Sequence, residues 1–130
     1  MARSLVTLAA VVALAASSAP AVAESILEGN WSGSGYVQPS NGEREKVTCK
    51  VSYHQLNDTV HAVKATCASA SMKIVQTGQI STVRDGRYIG DFANLEYNIS
   101  GSVRVVVNGN TQNVTFTSAS GGGTLALKRR

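Results

Sequence analysis

Alternation restricts this chain more than any other feature. From Trp31 onward, apolar and polar residues trade places at period two, run after run, and turn signals separate the runs. In residues 46–54, Val47, Cys49, Val51 and Tyr53 share one face, and Lys46, Thr48, Lys50, Ser52 and His54 share the other. Successive side chains of a strand point to opposite sides, so this is an antiparallel strand with one dry and one wet face. The same phase gives seven further inward sets. They are Trp31, Gly33, Gly35 and Val37; Val63, Ala65 and Cys67; Met72, Ile74, Gly78 and Ile80; Tyr88, Gly90 and Phe92; Val103, Val105 and Val107; Val114 and Phe116; and Leu125 and Leu127. No helical period is sustained after residue 24.

The turns agree. Asn41-Gly42, Asn57-Asp58, Asp85-Gly86 and Asn108-Gly109 fall between the runs, and Gly121 to Gly123 marks a looser last turn. Asn-Gly and Asp-Gly suit the positive φ of tight hairpins. Residues 36–46, with Pro39, read as a long first loop. Residues 93–98 break the alternation, as a bulge or a barrel corner would. Glycines inside the strands fit a strongly curved sheet. Eight strands joined in sequence predict an all-β fold, a small antiparallel up-and-down barrel that leaves no open edge. A two-sheet β-sandwich is the alternative.

Residues 1–23 read as a secretory signal. Arg3 precedes an apolar run from Leu5 to Ala16, and Ala21-Val22-Ala23 gives an A-x-A cleavage pattern. The run is too short for a membrane span. Residues 24–130 then form one domain, placed in the periplasm or outside the cell. An oxidising compartment predicts a disulfide between Cys49 and Cys67, inward residues of adjacent strands. Removing Arg3 leaves 11 basic against 8 acidic residues, a charge of about +3. The basic residues are scattered and the four tyrosines partly inward, so no nucleic-acid surface is expected.

Catalytic chemistry is not predicted. A hydrolase triad needs a base beside its nucleophile, and His54 and His61 are the histidines present. They read as surface residues, and a metal pair made of them lacks further ligands. Glu43 and Glu45 flank Arg44 as a solvated cluster, and Asp91 and Glu96 lie near the irregular stretch. The chain is therefore read as non-enzymatic, without metal or cofactor.

Gly29-Asn30-Trp31 opens the first strand, and Arg129 is in phase with Leu125 and Leu127 on the last. This pairing resembles the calycin signature, in which an early Trp packs under a late basic side chain and closes the barrel floor. The exported domain, the G-x-W opening, the cysteines in the first half and the ending Leu127-Lys128-Arg129-Arg130 are similar to the bacterial periplasmic inhibitors of secreted metalloproteases, the Inh family. The resemblance implies that a free N-terminal segment enters a protease cleft. The corresponding arm here is Glu24, Ser25, Ile26, Leu27 and Glu28.

Three readings of function follow. The first is an exported binding protein whose partner is an envelope or secreted protein. The second is a protease inhibitor acting through that arm. The third is a carrier with a small apolar ligand inside the barrel. A domain this small favours a filled interior. The carrier reading instead requires a pocket lined by Val51, Ile74, Val105 and Phe116. The sequence assigns no oligomeric state.

Overall fold

A computed structural model describes residues 4, 7, 9–14 and 25–130. Most of the expected signal, and Glu24, lie outside the described residues. The strands are β1 (Gly29–Pro39), β2 (Glu45–Gln55), β3 (Val60–Ala68), β4 (Lys73–Arg84), β5 (Arg87–Asn94), β6 (Ile99–Asn108), β7 (Thr111–Ser118) and β8 (Gly121–Arg129). Each pairs antiparallel with the next, and β1 pairs with β8, so the sheet closes into the expected eight-stranded barrel. Closure removes the edge that a sandwich would expose.

Parity places the apolar sets inside. Val47, Cys49, Val51 and Tyr53 are all buried, while Lys46, Thr48, Lys50 and His54 are exposed. Cys49 stands directly opposite Cys67 in the β2–β3 register, and the two form a disulfide. Gly33 and Gly35 let β1 approach β8 closely. A Cβ on either would collide with the backbone carbonyl of Ala126 or Thr124.

Four local expectations are corrected. The first loop is short, residues 40–44, because Tyr36 to Pro39 continue β1 against Gly121 to Thr124 of β8. Gly121 to Gly123 therefore lie within β8, and the turn before them is Ala119-Ser120, where Ser118 Oγ donates to the Gly121 carbonyl at 2.9 Å. Met72 sits in the β3–β4 turn, with Ser69 N donating to its carbonyl at 2.9 Å. Residues 95–98 are the β5–β6 connection, in which Asn94 Oδ1 accepts from Tyr97 N at 3.0 Å and Asn98 takes φ +51°. The register irregularity is elsewhere, between Thr82 and Arg84 of β4.

The up-and-down order gives the barrel two ends. One carries the connections after β2, β4 and β6, together with residues 25–28, and is called the floor. The other carries the connections after β1, β3, β5 and β7, and is called the mouth.

Candidate functional site

Side-chain size along each strand sets the interior. Near the floor the inward residues are large: Trp31, Tyr53, His61, Ile80, Tyr88, Gln112 and Leu127 are all buried. Toward the mouth Ala65, Cys67, Gly78 and Val103 are small, and Ile74, Gln76, Phe92 and Phe116 line the wall between them. The floor side chains fill the lower half, and Tyr53 and Ile80 also border the space above them. The upper half encloses a cavity of about 160 Å³. Val51, Ile74, Val105 and Phe116 all line it, together with both disulfide cysteines. Phe92 and Phe116 meet edge to face on its wall, ring centroids 6.0 Å apart.

The cavity wall is almost wholly apolar. Of the polar residues bordering the cavity below the mouth, Thr77 and Asp91 fall on the outward phase of β4 and β5, whereas Gln76 follows the inward phase of Ile74, Gly78 and Ile80, and its carboxamide makes no hydrogen bond to a described residue. At the mouth stand Pro39, Glu45, Ser69 and Met72. The Glu45 carboxylate accepts from Ser71 Oγ at 2.8 Å and Ser71 N at 3.2 Å. Hydrogen bonds from Ser71 and Ser69 hold its pKa below the ordinary value, so it is ionised near neutral pH. Among the described residues, no Lys, Arg or His lines the cavity.

The floor is closed by residues 25–28, which are folded against the barrel. Leu27 is 0 % exposed, and its carbonyl accepts from Trp31 Nε1 at 3.0 Å. The Arg129 guanidinium lies over the Trp31 ring, 4.4 Å from its centroid. The same guanidinium donates to the Glu28 carbonyl at 2.8 Å and to the Ile26 carbonyl. Glu28 accepts from Gln55 N at 2.5 Å and pairs with His54 at 3.2 Å. Trp31 and Arg129 thus meet at the barrel end, and Ser25, Ile26, Leu27 and Glu28 form a plug there. The free arm expected for these four residues is not their arrangement here, because Leu27 fills the floor and three carbonyls serve as acceptors for Trp31 and Arg129.

The histidines are separated. His54 faces out, whereas His61 is buried at 2 % exposure and faces in, so they cannot share a surface metal. Among the described residues no three His, Cys, Asp or Glu side chains are grouped for a metal ion. His61 Nε2 pairs with Ser25 Oγ at 2.6 Å, and its ring meets Tyr88 edge-on at 5.6 Å. Burial lowers the His61 pKa, partly offset by Glu28. Burial raises the phenols of Tyr53 and Tyr88. This Ser–His contact joins the plug to β3, and His61 Nδ1 has no partner among the described residues, so no acid there orients the ring as a triad requires. Tyr53 donates to Gln112 Oε1 at 2.6 Å, while Gln112 Nε2 and Asn94 Nδ2 are buried without partners among the described residues. Gln76 and Gln112 are inward polar residues that the sequence did not single out, and His61, expected at the surface, is buried. Their signal was parity with their apolar neighbours.

No protein-family model matches the chain, and no curated sequence matches it significantly. Solved structures do resemble it. The redesigned β-barrel mFAP1, solved bound to DFHBI, superposes with TM-score 0.67 at 12 % identity over 81 % of this chain and 95 % of that one. A de novo designed fluorescence-activating β-barrel gives TM-score 0.63 at 14 % identity over 81 % and 94 %. EF1p2_mFAP2b, also bound to DFHBI, gives 0.65 at 13 % identity over 81 % and 94 %. At these identities the likeness is one of fold. Among the described residues no helix is long and apolar enough to cross a membrane.

Proposed function

We propose that this chain is an exported, non-enzymatic carrier that holds a small, mainly apolar molecule in the upper half of its barrel. The cavity carries the reading. Its volume is about 160 Å³, and an apolar cavity of roughly 150 Å³ stays dry and takes up benzene. Its walls include the four residues that a carrier requires. Small barrels either fill with side chains or hold one ligand, and here small inward residues leave the upper half open. Barrels of the same fold have been solved with DFHBI bound, which adds support for a ligand inside. The disulfide suits an oxidising compartment, either periplasm or extracellular space.

The arm-based inhibitor is less well supported. Entering a protease cleft with these residues would first require lifting Leu27 off the floor and breaking the Arg129 contacts. A partner protein bound by the loops has no comparable structural feature in its favour.

The test is titration with an apolar dye that fluoresces when desolvated, on the wild-type protein and on Ala65→Phe, which places a ring in the cavity. Saturable binding that Ala65→Phe abolishes is expected. Binding that survives the filled cavity, or no binding by dye or small aromatics, overturns the proposal. Mass measurement of protein exported by a bacterial host tests location: a chain starting at Glu24 supports the signal reading, and an uncleaved intracellular chain rejects it.

A further inference from the structure

We propose that the cavity selects a neutral one-ring aromatic molecule bearing a hydrogen-bonding group such as a phenol or carboxamide, anchored by Gln76, and rejects the matching carboxylate. This rests on the carrier reading and adds a chemical class to it. Three observations carry it. The volume, about 160 Å³, suits one ring and a short substituent. Gln76 follows the inward phase of β4 into a mainly apolar wall, where Thr77 and Asp91 take the outward phase, and its carbonyl and amide have no partner among the described residues. A carboxamide there offers one acceptor and two donors. A ligand group that pairs with it recovers a hydrogen bond in an apolar surrounding, whereas a pure hydrocarbon leaves the amide unsatisfied.

Charge supplies the second half of the selection. Glu45 stands at the mouth, and its hydrogen bonds from Ser71 favour the carboxylate. Among the described residues no basic side chain lines the cavity to neutralise an incoming anion, and Asp91 adds a second carboxylate beside it. An anionic ligand would lose its hydration inside apolar walls without a counter-charge, which is costly. Fatty-acid-like ligands are therefore disfavoured on both size and charge.

The experiment uses four probes of nearly one shape: toluene, p-cresol, 4-methylbenzamide and 4-methylbenzoate. Affinities are measured by chemical-shift titration on the purified protein and on Gln76→Leu, Glu45→Gln and Ala65→Phe. Gln76→Leu is expected to weaken p-cresol and 4-methylbenzamide by about 5- to 10-fold, the scale of one hydrogen bond. Toluene should bind Gln76→Leu equally well or better. The carboxylate should bind at least about tenfold more weakly than the amide, and Glu45→Gln should narrow that gap. If all neutral probes bind, Ala65→Phe blocks them and Gln76→Leu changes none, the anchor is rejected while the carrier reading stands. A carboxylate that binds best rejects the charge selection. If no probe binds, the carrier reading fails and takes this inference with it.

Discussion

The two ends of this barrel are made from the same eight strands and do opposite things. The floor is filled: Trp31, Leu127 and Leu27 are buried and locked by Arg129. The half toward the mouth is hollow, because Ala65, Gly78 and Val103 occupy inward places where the floor has Tyr, His and Trp. Strand pairing is continuous through both halves. The difference therefore lies in side-chain volume alone. Backbone hydrogen bonding makes the wall, and the inward residues decide whether the wall encloses a core or a site.

Substitution at each end gives the largest test of that contrast. Trp31→Ala removes a fully buried indole and should cost about 4 kcal/mol, as large aromatic deletions in close-packed cores do. Ile74→Ala should cost only about 1 kcal/mol, since Ile74 is half-buried and already borders empty space, so fewer packing contacts are lost. Urea denaturation monitored by circular dichroism measures both. Equal losses would erase the distinction between a solid floor and a hollow upper half.

The disulfide is next. It lies in the cavity wall and joins residues 18 apart. Replacing both cysteines with alanine should cost about 3 kcal/mol, chiefly by freeing the unfolded chain. Because the hollow half has little packing to compensate, ligand affinity should fall along with stability. A variant with full affinity and reduced stability would show that the wall keeps its shape without the bridge.

How much of this was readable beforehand depends on what parity can carry. Period two assigns each residue a face, and eight such runs with turn signals left few ways to close the sheet. The cysteine pair was legible because both residues fell inward on neighbouring strands. His61, Gln76 and Gln112 obeyed the same parity: His61 is in phase with Val63 and Ala65, Gln76 with Ile74 and Gly78, and Gln112 with Val114. Polarity outweighed phase: His61 was expected at the surface, and Gln76 and Gln112 were not singled out. The cavity was legible only as small residues in the right places; whether such residues pack or leave a space depends on strand curvature in three dimensions. The plug was not legible. Four residues carry no period, and their partner Arg129 lies 101 positions away from Glu28.

Arg129→Ala sharpens the comparison at the floor. It removes the cation over the indole and two hydrogen bonds to exposed-side carbonyls, a loss of about 1 kcal/mol. The local effect should exceed the global one. Amide exchange should speed up at residues 26–28 and stay unchanged on β3 and β4 near the mouth. Faster exchange throughout would mean that the plug and the cavity walls open as one unit.

The smallest expected effect is a pH dependence confined to the floor. His61 is held neutral by burial between Ser25 and Tyr88, with Glu28 the charged group that partly offsets this. Its folded-state pKa is below its ordinary value of about 6.5, so the unfolded chain takes up the proton more readily. The stability linked to His61 is complete above that ordinary value and declines as pH falls toward the folded-state pKa. Thermal unfolding from pH 7.5 to 5 should therefore show a steeper loss of Tm for the wild type than for His61→Gln. Carboxylates titrate in both proteins, so the difference between the two curves isolates the histidine. Parallel curves would mean that the ring gains its proton without leaving the floor, and the plug would then be open enough to let water reach it. Ligand affinity at the mouth should follow neither curve, because the cavity lining contains no histidine.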